Sequence, residues 1–315
     1  MTDSVEQRIN VTNYVQAPDL SIRTDQPLGP DTSWILPAGY FVPAKMPLHT
    51  VFPRPDSETQ AHARHRWIHP DMQYRIPIGV QGGAWTFYYE IISAPAGASI
   101  GEKHGDVDYG IFTWTPSPSD TGLQVFVVRV TDQMQNSVDI EWTATVDASM
   151  FIFVQDGWAG NKVGTIAEPL EDIADWYLAD ENDATYHNKI IVFRGGNYNL
   201  IGASANSFNV RLNSTAKTPS LIGFPSEIPL FDCSASKIIA SNLDDIFVAG
   251  IGWNNARNDV SNAHFYWATG VSNRAVWHEN TFNGMLGGTV GNDNTAAVFI
   301  SDTSTIKENI LYKNN

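Results

Sequence analysis

A histidine and a glutamate stand side by side in "RAVWHENTFNG", with Arg274 four residues before His278. Lys307 occupies a related stretch, "STIKENILYKNN". Cleaving a uronic-acid polymer by β-elimination needs a base to take the C5 proton and a cation to neutralise the carboxylate, and Lys, Arg and His are suited to both. Arg274, His278 and Lys307 on one face would supply that catalytic set. Glycan hydrolysis makes a different demand, two carboxylates at a fixed separation. Glu279 and Glu308 would sit too close for the inverting geometry if they stood on adjacent turns of a repeat. The competing reading is that Glu279 and Glu308 share a position only because a repeated fold repeats its turn chemistry.

Other residues carry further chemistry. Trp158, Trp253, Tyr266 and Trp267 can stack on sugar rings as glycan-binding residues, although aromatics in alternating β-runs also face cores. "LADENDATYHN" and "VGNDNTA" are rich in oxygen ligands and make Ca2+ the one ion to consider, but neither has the spacing of an EF-hand loop. "HARHRWIHPD" holds His62, His65 and His69. Pro70 disfavours helix at His69, and Arg64 and Arg66 repel a cation, so a basic contact patch is expected there and no metal site. Cys233, the single cysteine, reads as a small buried side chain, and no intrachain disulfide can form.

The elements that must position these residues fall into three segments. The chain has 315 residues and is 43% hydrophobic with ten Trp, ample for packed cores. A net charge of −15 argues against nucleic acid and anionic membranes as partners. The first residues have neither a basic n-region nor an apolar core, so no Sec signal is read there, and no run reaches transmembrane length. An extracellular type of protein without that signal leaves by virion assembly and cell lysis, or has had its signal removed.

Residues 1–70 hold nine of the 17 prolines, which forbid helix interiors and central strands. Trp34, Tyr40 and Phe41 lie among them, more apolar than a free linker needs. An extended docking arm is therefore expected, with Arg64 and Arg66 as contacts. Residues 71–147 alternate as short antiparallel strands between Gly, Pro, Asp and Asn turns, which suggests a sandwich. Residues 148–315 begin strand, Gly-rich turn, helix, strand. The helix is marked by Pro169 and by Glu171 and Asp172 near its start, with Leu170, Ile173, Ala174 and Tyr177 as its apolar face. Short β-runs rich in Asn and Gly follow.

Aligning "DIFVAGIGWNNAR", "RAVWHENTFNGML" and "STIKENILYKNN" superimposes Gly250, Asn280 and Asn309 at steps of 30 and 29 residues. Phe247, Trp277 and Ile306 then share a column, and the next column holds Val248, His278 and Lys307. An apolar residue followed three positions later by Asn suits a stacked solenoid, whose bore the first fills and whose turn backbone the second satisfies. In that register Trp277 points inward and His278 outward, about 4.8 Å from Lys307 on the next turn.

"GIFTWTP" (Gly110 to Pro116), Asp120, Gly122 and "VFVVRVTD" resemble bacterial and phage immunoglobulin-like modules related to cadherin repeats. Asp132 stands largely alone, without the acidic calcium clusters of true cadherin repeats. "GNKVGTIAEPLEDIADWYL…KIIVFRGGNY" (Gly160 to Tyr198) resembles the entry of the right-handed parallel β-helix, or pectate-lyase-like, superfamily, where an amphipathic helix caps the first rung. The resemblances imply an all-β chain: an extended N-terminal arm, an immunoglobulin-like β-sandwich and a right-handed parallel β-helix with one capping α-helix. With only about five or six rungs and no evident cap after "LYKNN", the helix reads as incomplete or covered by a partner, as in a homotrimer.

The expected function is that of a virion-associated tail-fibre, tailspike or head-fibre protein, in the virion or outside the cell. Its arm would dock on other virion proteins and its β-helix would meet host-surface polysaccharide. The alternatives are a polysaccharide lyase acting on an acidic polysaccharide and a bacterial surface adhesin. An arm ordered against a partner favours the first reading, and a groove lined by Arg274, His278 and Lys307 favours the lyase.

Overall fold

The computed structural model describes residues 47–315 apart from 56, 58, 84–85, 104–108, 174, 176–186, 201–208, 214–219, 235–236, 242–244, 256–263, 270–274, 285–295, 302–309 and 313–315. The described chain is all-β. Its first strands are β1 (His49–Phe52), β2 (Trp67–Ile68), β3 (Tyr74–Gln81), β4 (Tyr88–Ser93), β5 (Ser99–Lys103), β6 (Tyr109–Trp114), β7 (Gly122–Thr131) and β8 (Ser137–Val146). There follow β9 (Phe151–Val154), β10 (Ile190–Phe193), β11 (Gly196–Asn199), β12 (Asn209–Asn213), β13 (Ser220–Gly223), β14 (Pro229–Asp232) and β15 (Lys237–Ser241). The last are β16 (Phe247–Ala249), β17 (Gly252–Asn254), β18 (His264–Thr269), β19 (Val276–His278), β20 (Thr281–Asn283), β21 (Ala296–Ser301) and β22 (Ile310–Tyr312).

The chain divides into two compact units, and not at the boundaries its composition suggests. Residues 59–72 and 118–122 belong with 145–315, while the first unit takes the chain up to 58 together with 73–117 and 123–144.

In the first unit, one sheet has the order β1-β3-β6-β5, and β8, β7 and β4 lie side by side in another. The pairs β1–β3, β3–β6, β5–β6 and β4–β7 are antiparallel. Alternate residues of β7 and β8 are buried, as expected of strands with one face on a core. The two sheets meet through aromatic rings: Phe112 lies edge-on to Trp142 at 5.3 Å, and Phe126 stacks on Trp142 at 5.1 Å. Buried Trp142 donates its indole N–H to the Tyr74 hydroxyl at 3.0 Å, which removes the cost of an unsatisfied polar atom in the core. Asp132 closes the β7–β8 turn by accepting the backbone N–H groups of Met134 and Asn136 at 2.9 and 2.8 Å. Its carboxylate therefore serves a turn.

The second unit is a coil of three parallel sheets visited in rotation. The first sheet has the order β22-β19-β16-β13-β10-β9, the second β11-β14-β17-β20, and the third β12-β15-β18-β21. Each circuit adds one strand to each sheet, in register with the strand before it. The inner side of the second sheet is an aromatic column of Tyr198, Phe231, Trp253 and Phe282. Adjacent rings lie 5.7, 5.1 and 6.3 Å apart, close enough for direct ring contact.

Strand pairing corrects the repeat register read from the sequence. Phe247 pairs with Val276 and Val276 with Ile310, so the steps are 276 − 247 = 29 and 310 − 276 = 34 residues. Trp277 pairs with Val248 in the interior cluster, while Phe247 falls in the neighbouring column. Gly250 and Glu279 are then equivalent turn residues, both left-handed with φ of 67° and 52°. Asn280 sits level with Ile251, buried, and accepts the Ile251 N–H at 3.3 Å while donating to the Val248 carbonyl at 2.9 Å. It also donates to the His278 carbonyl at 3.3 Å, so one residue satisfies backbone on its own circuit and on the one before. Asn309 lies outside the described residues.

Of the helix expected after Pro169, the described residues show the start. Leu170 and Ile173 are buried, and the Asp172 carboxylate accepts the Asp175 N–H at 2.8 Å as an N-cap. Lys162 pairs with both Glu171 and Asp175, whose hydrogen bonds hold its ammonium pKa well above the usual lysine value. Ala174 and Tyr177 lie outside the described residues.

Candidate functional site

The first and second sheets of the coil treat their outer faces differently, and this locates the candidate site. On the first sheet, outward positions alternate with interior ones along each strand, and Phe151, Phe153, Ile190, Val192, Ser220, Ile222, Phe247, Val276 and His278 are buried too, with Ala249 half-buried. Part of the cover is the chain's own segment 59–72. His69 sets its ring edge-on to Phe151 and Phe153, with centroids 5.4 and 4.9 Å apart. The Arg64 guanidinium lies 5.8 Å from the centre of the Phe151 ring and donates to the Trp67 carbonyl at 2.6 Å. Further along, the Gln60 N–H donates to the Asp245 carboxylate at 2.6 Å. Burial lowers the His69 pKa, because a charged imidazolium would lose its hydration among these rings.

This corrects two expectations. Arg64, read as a docking contact, is buried against its own chain together with His65 and His69; Arg66 is half-buried. His278, read as an outward base, is enclosed at 1% exposure, its Nε2 3.3 Å from a Glu279 carboxylate oxygen. The outward side of a strand is solvent-facing only if nothing packs on it, and here the apolar face is covered. Arg274 and Lys307 lie outside the described residues, so His278 alone of the proposed catalytic set has a described position.

The second sheet keeps its outer face open. Its strands read Gly-Asn-Tyr-Asn, Pro-Leu-Phe-Asp, Gly-Trp-Asn and Thr-Phe-Asn. Pairing sets Asn199 on Asp232, Asp232 on Asn254 and Asn254 on Asn283, a row with one polar side chain per strand. Asn199 and Asn283 are exposed, and Asp232 and Asn254 half-buried. Beside the row run Asn197, Leu230, Gly252 and Thr281. A Cβ on Gly252 would come within 2.6 Å of a Leu230 methyl, so the absent side chain lets Leu230 lie flat, with Ile228 exposed next to it. The face therefore pairs an amide-rich row with a small aliphatic ledge. Asp232 also caps its own turn by accepting the Ser234 N–H at 2.9 Å.

The ends of this face are pinned by charge and hydrogen bonds. Arg194, in the turn before β11, is bidentate to Glu227 at 2.6–3.1 Å and stacks on the Phe224 ring at 4.3 Å. That pair holds the Glu227 carboxyl below the usual carboxylate range. The Tyr198 hydroxyl donates toward the Arg194 carbonyl at 2.8 Å and accepts the Asp156 N–H at 3.1 Å; burial pushes its pKa up to about 12.

Of the expected glycan-binding residues, Trp253 is wholly enclosed in the aromatic column, which corrects its reading as a sugar platform. Trp158 is half-buried, donates to the Asn161 carbonyl at 2.9 Å and packs against Gly160. The side chains of Tyr266 and Trp267, residues Trp34, Tyr40 and Phe41, and nearly all of the two oxygen-rich loops considered for Ca2+ lie outside the described residues. Among the described residues no three His, Cys, Asp or Glu side chains converge as a metal site, and no helix is long and apolar enough to cross a membrane. Cys233 is buried, and desolvation raises its thiol pKa. Sequence reasoning missed the Asn199–Asp232–Asn254–Asn283 row. Its signal was an aromatic residue followed directly by Asn in β11, β17 and β20.

No protein-family model matches the chain, and no curated protein matches it. Among solved structures, the chain is similar over 38% of its length to the endo-fucoidan hydrolase MfFcnA4 from glycoside hydrolase family 107, at 18% identity and a TM-score of 0.25. A variant of the same enzyme matches over 25% of the chain, at 21% identity and a TM-score of 0.21. The chain spans 18% and 12% of the lengths of those two proteins. Likeness at this level assigns neither fold nor activity.

Proposed function

We propose that this chain is a virion-associated protein of the tail-fibre or tailspike type. Its first unit is an immunoglobulin-like spacer, and its second a right-handed parallel β-helix that contacts host-surface glycan. In this reading the N-terminal residues dock on other virion proteins and the protein works as a homotrimer. Three-sheet rotation with one strand per circuit supports the β-helix, and two facing sheets with an aromatic core support the spacer. The observation that carries the functional reading is the open outer face of the second sheet. A coil that covers one apolar outer face with its own segment 59–72 leaves another polar and exposed. Enclosure of His278 favours binding over lyase chemistry on that strand.

Two measurements test this. Incubation with a panel of polysaccharides should give retention without new ultraviolet absorbance from unsaturated uronate ends; growth of that absorbance would put the lyase reading in its place. Immunogold labelling of purified particles should decorate virions, and label found only on cell surfaces would favour the adhesin.

A further inference from the structure

We infer that the outer face of the second parallel sheet is a binding site for an uncharged polysaccharide lying along the coil axis, across Asn199, Asp232, Asn254 and Asn283. The inference rests on the glycan-contacting reading above and names the class of glycan and the residues that hold it. The row repeats at the strand spacing of about 4.8 Å, so its four side chains span on the order of 14 Å in a straight line. A primary amide offers two N–H donors and a carbonyl acceptor, which matches a hydroxyl that both donates and accepts. Three of the four positions are amides, and Thr281 and Asn197 beside them add further groups of both kinds.

Charge decides the class. The four strands contain one carboxylate, Asp232, and no Lys, Arg or His. Arg194 flanks the face, but its guanidinium is committed to Glu227 and to the Phe224 ring. The whole chain carries −15. A uronate or sulfated polymer would meet repulsion from Asp232, with no cation among the residues of the four strands to offset it. Asp232 can accept a bond from a sugar hydroxyl but not from a carboxylate. The Ile228–Leu230 ledge suits the C–H face of a pyranose ring, so polar and apolar sides of one sugar both find partners.

The test uses the full chain and immobilised polysaccharides: a neutral glucan, a neutral mannan, polygalacturonate and a sulfated glycan, each at low and high salt. Retention on a neutral polymer, unchanged by salt, is expected. The double variant Asn199→Ala/Asn283→Ala removes exposed groups without touching the core and should weaken that retention about tenfold. Leu123→Ser, in the first unit, should leave it unchanged. Retention on the acidic polymers alone would overturn this inference and leave the glycan-contacting reading standing. Neutral binding that survives the double variant would overturn the site. No retention on any polymer would overturn the glycan-contacting reading itself.

Discussion

Along the first parallel sheet of the coil the strands spell Phe-Ile-Phe-Val, Ile-Ile-Val-Phe and Ser-Leu-Ile-Gly; along the second they spell Gly-Asn-Tyr-Asn, Gly-Trp-Asn and Thr-Phe-Asn. Both are parallel and both line one interior, yet β10 is buried at every residue whereas β11 buries only Tyr198 of its four. The difference lies in what packs outside. The first sheet has an apolar outer face and is covered, in part by residues 59–72. The second has a polar outer face. A continuous apolar run thus marks a sheet buried on two sides, and alternation marks one buried on a single side.

Substitutions that separate inner from outer positions probe this contrast most directly. Trp253 and Asn254 are neighbours on β17, one enclosed among Phe231, Trp277 and Phe282 and the other on the outer row. Trp253→Ala should cost about 3–5 kcal/mol in denaturant unfolding, the range for truncating a buried aromatic. A loss below about 1 kcal/mol would mean that the column is not the core of the coil. Asn280→Ala, in the turn between the two sheets, should cost about 1–3 kcal/mol, since it removes the buried bonds to the Ile251 N–H and the Val248 carbonyl.

The covered face should also respond to pH. Burial holds the folded pKa of His69 below the ordinary histidine value of about 6.5, so the unfolded chain binds a proton more readily than the folded one. Its contribution is present above 6.5 and is lost as pH falls from there through the folded pKa. Unfolding midpoints of wild type and His69→Phe, followed from neutral pH to about pH 5, should show a shallower acid decline in the variant. Equal slopes would assign the acid sensitivity to other groups. Smallest of all, Asn254→Ala on the open face should change stability by no more than about 0.5 kcal/mol.

How much of this was legible beforehand differs by residue. The all-β class and the turn role of Asn280 follow from alternation and from Gly- and Asn-rich punctuation. The burial of Trp253 and His278 did not follow. A strand period of two assigns residues to two faces but does not say which face is inside, and a shift of one residue exchanges them. The alignment at Gly250 and Asn280 was off by one, which was enough to set Phe247 in the Trp277 column. The enclosure of His278 needed knowledge of what covers the sheet, and Gln60 meets Asp245 across 185 residues of sequence.

By itself, then, the sequence determined the strands, their turns and the absence of any intrachain disulfide, because these depend on side-chain period, on Gly, Asn and Pro conformations and on a single cysteine. Only the tertiary structure decided which segment covers the outer face of the first sheet and that His278 lies enclosed on it. Burial of an outward side chain depends on what the chain folds back over it from far away, and no local pattern records that distance.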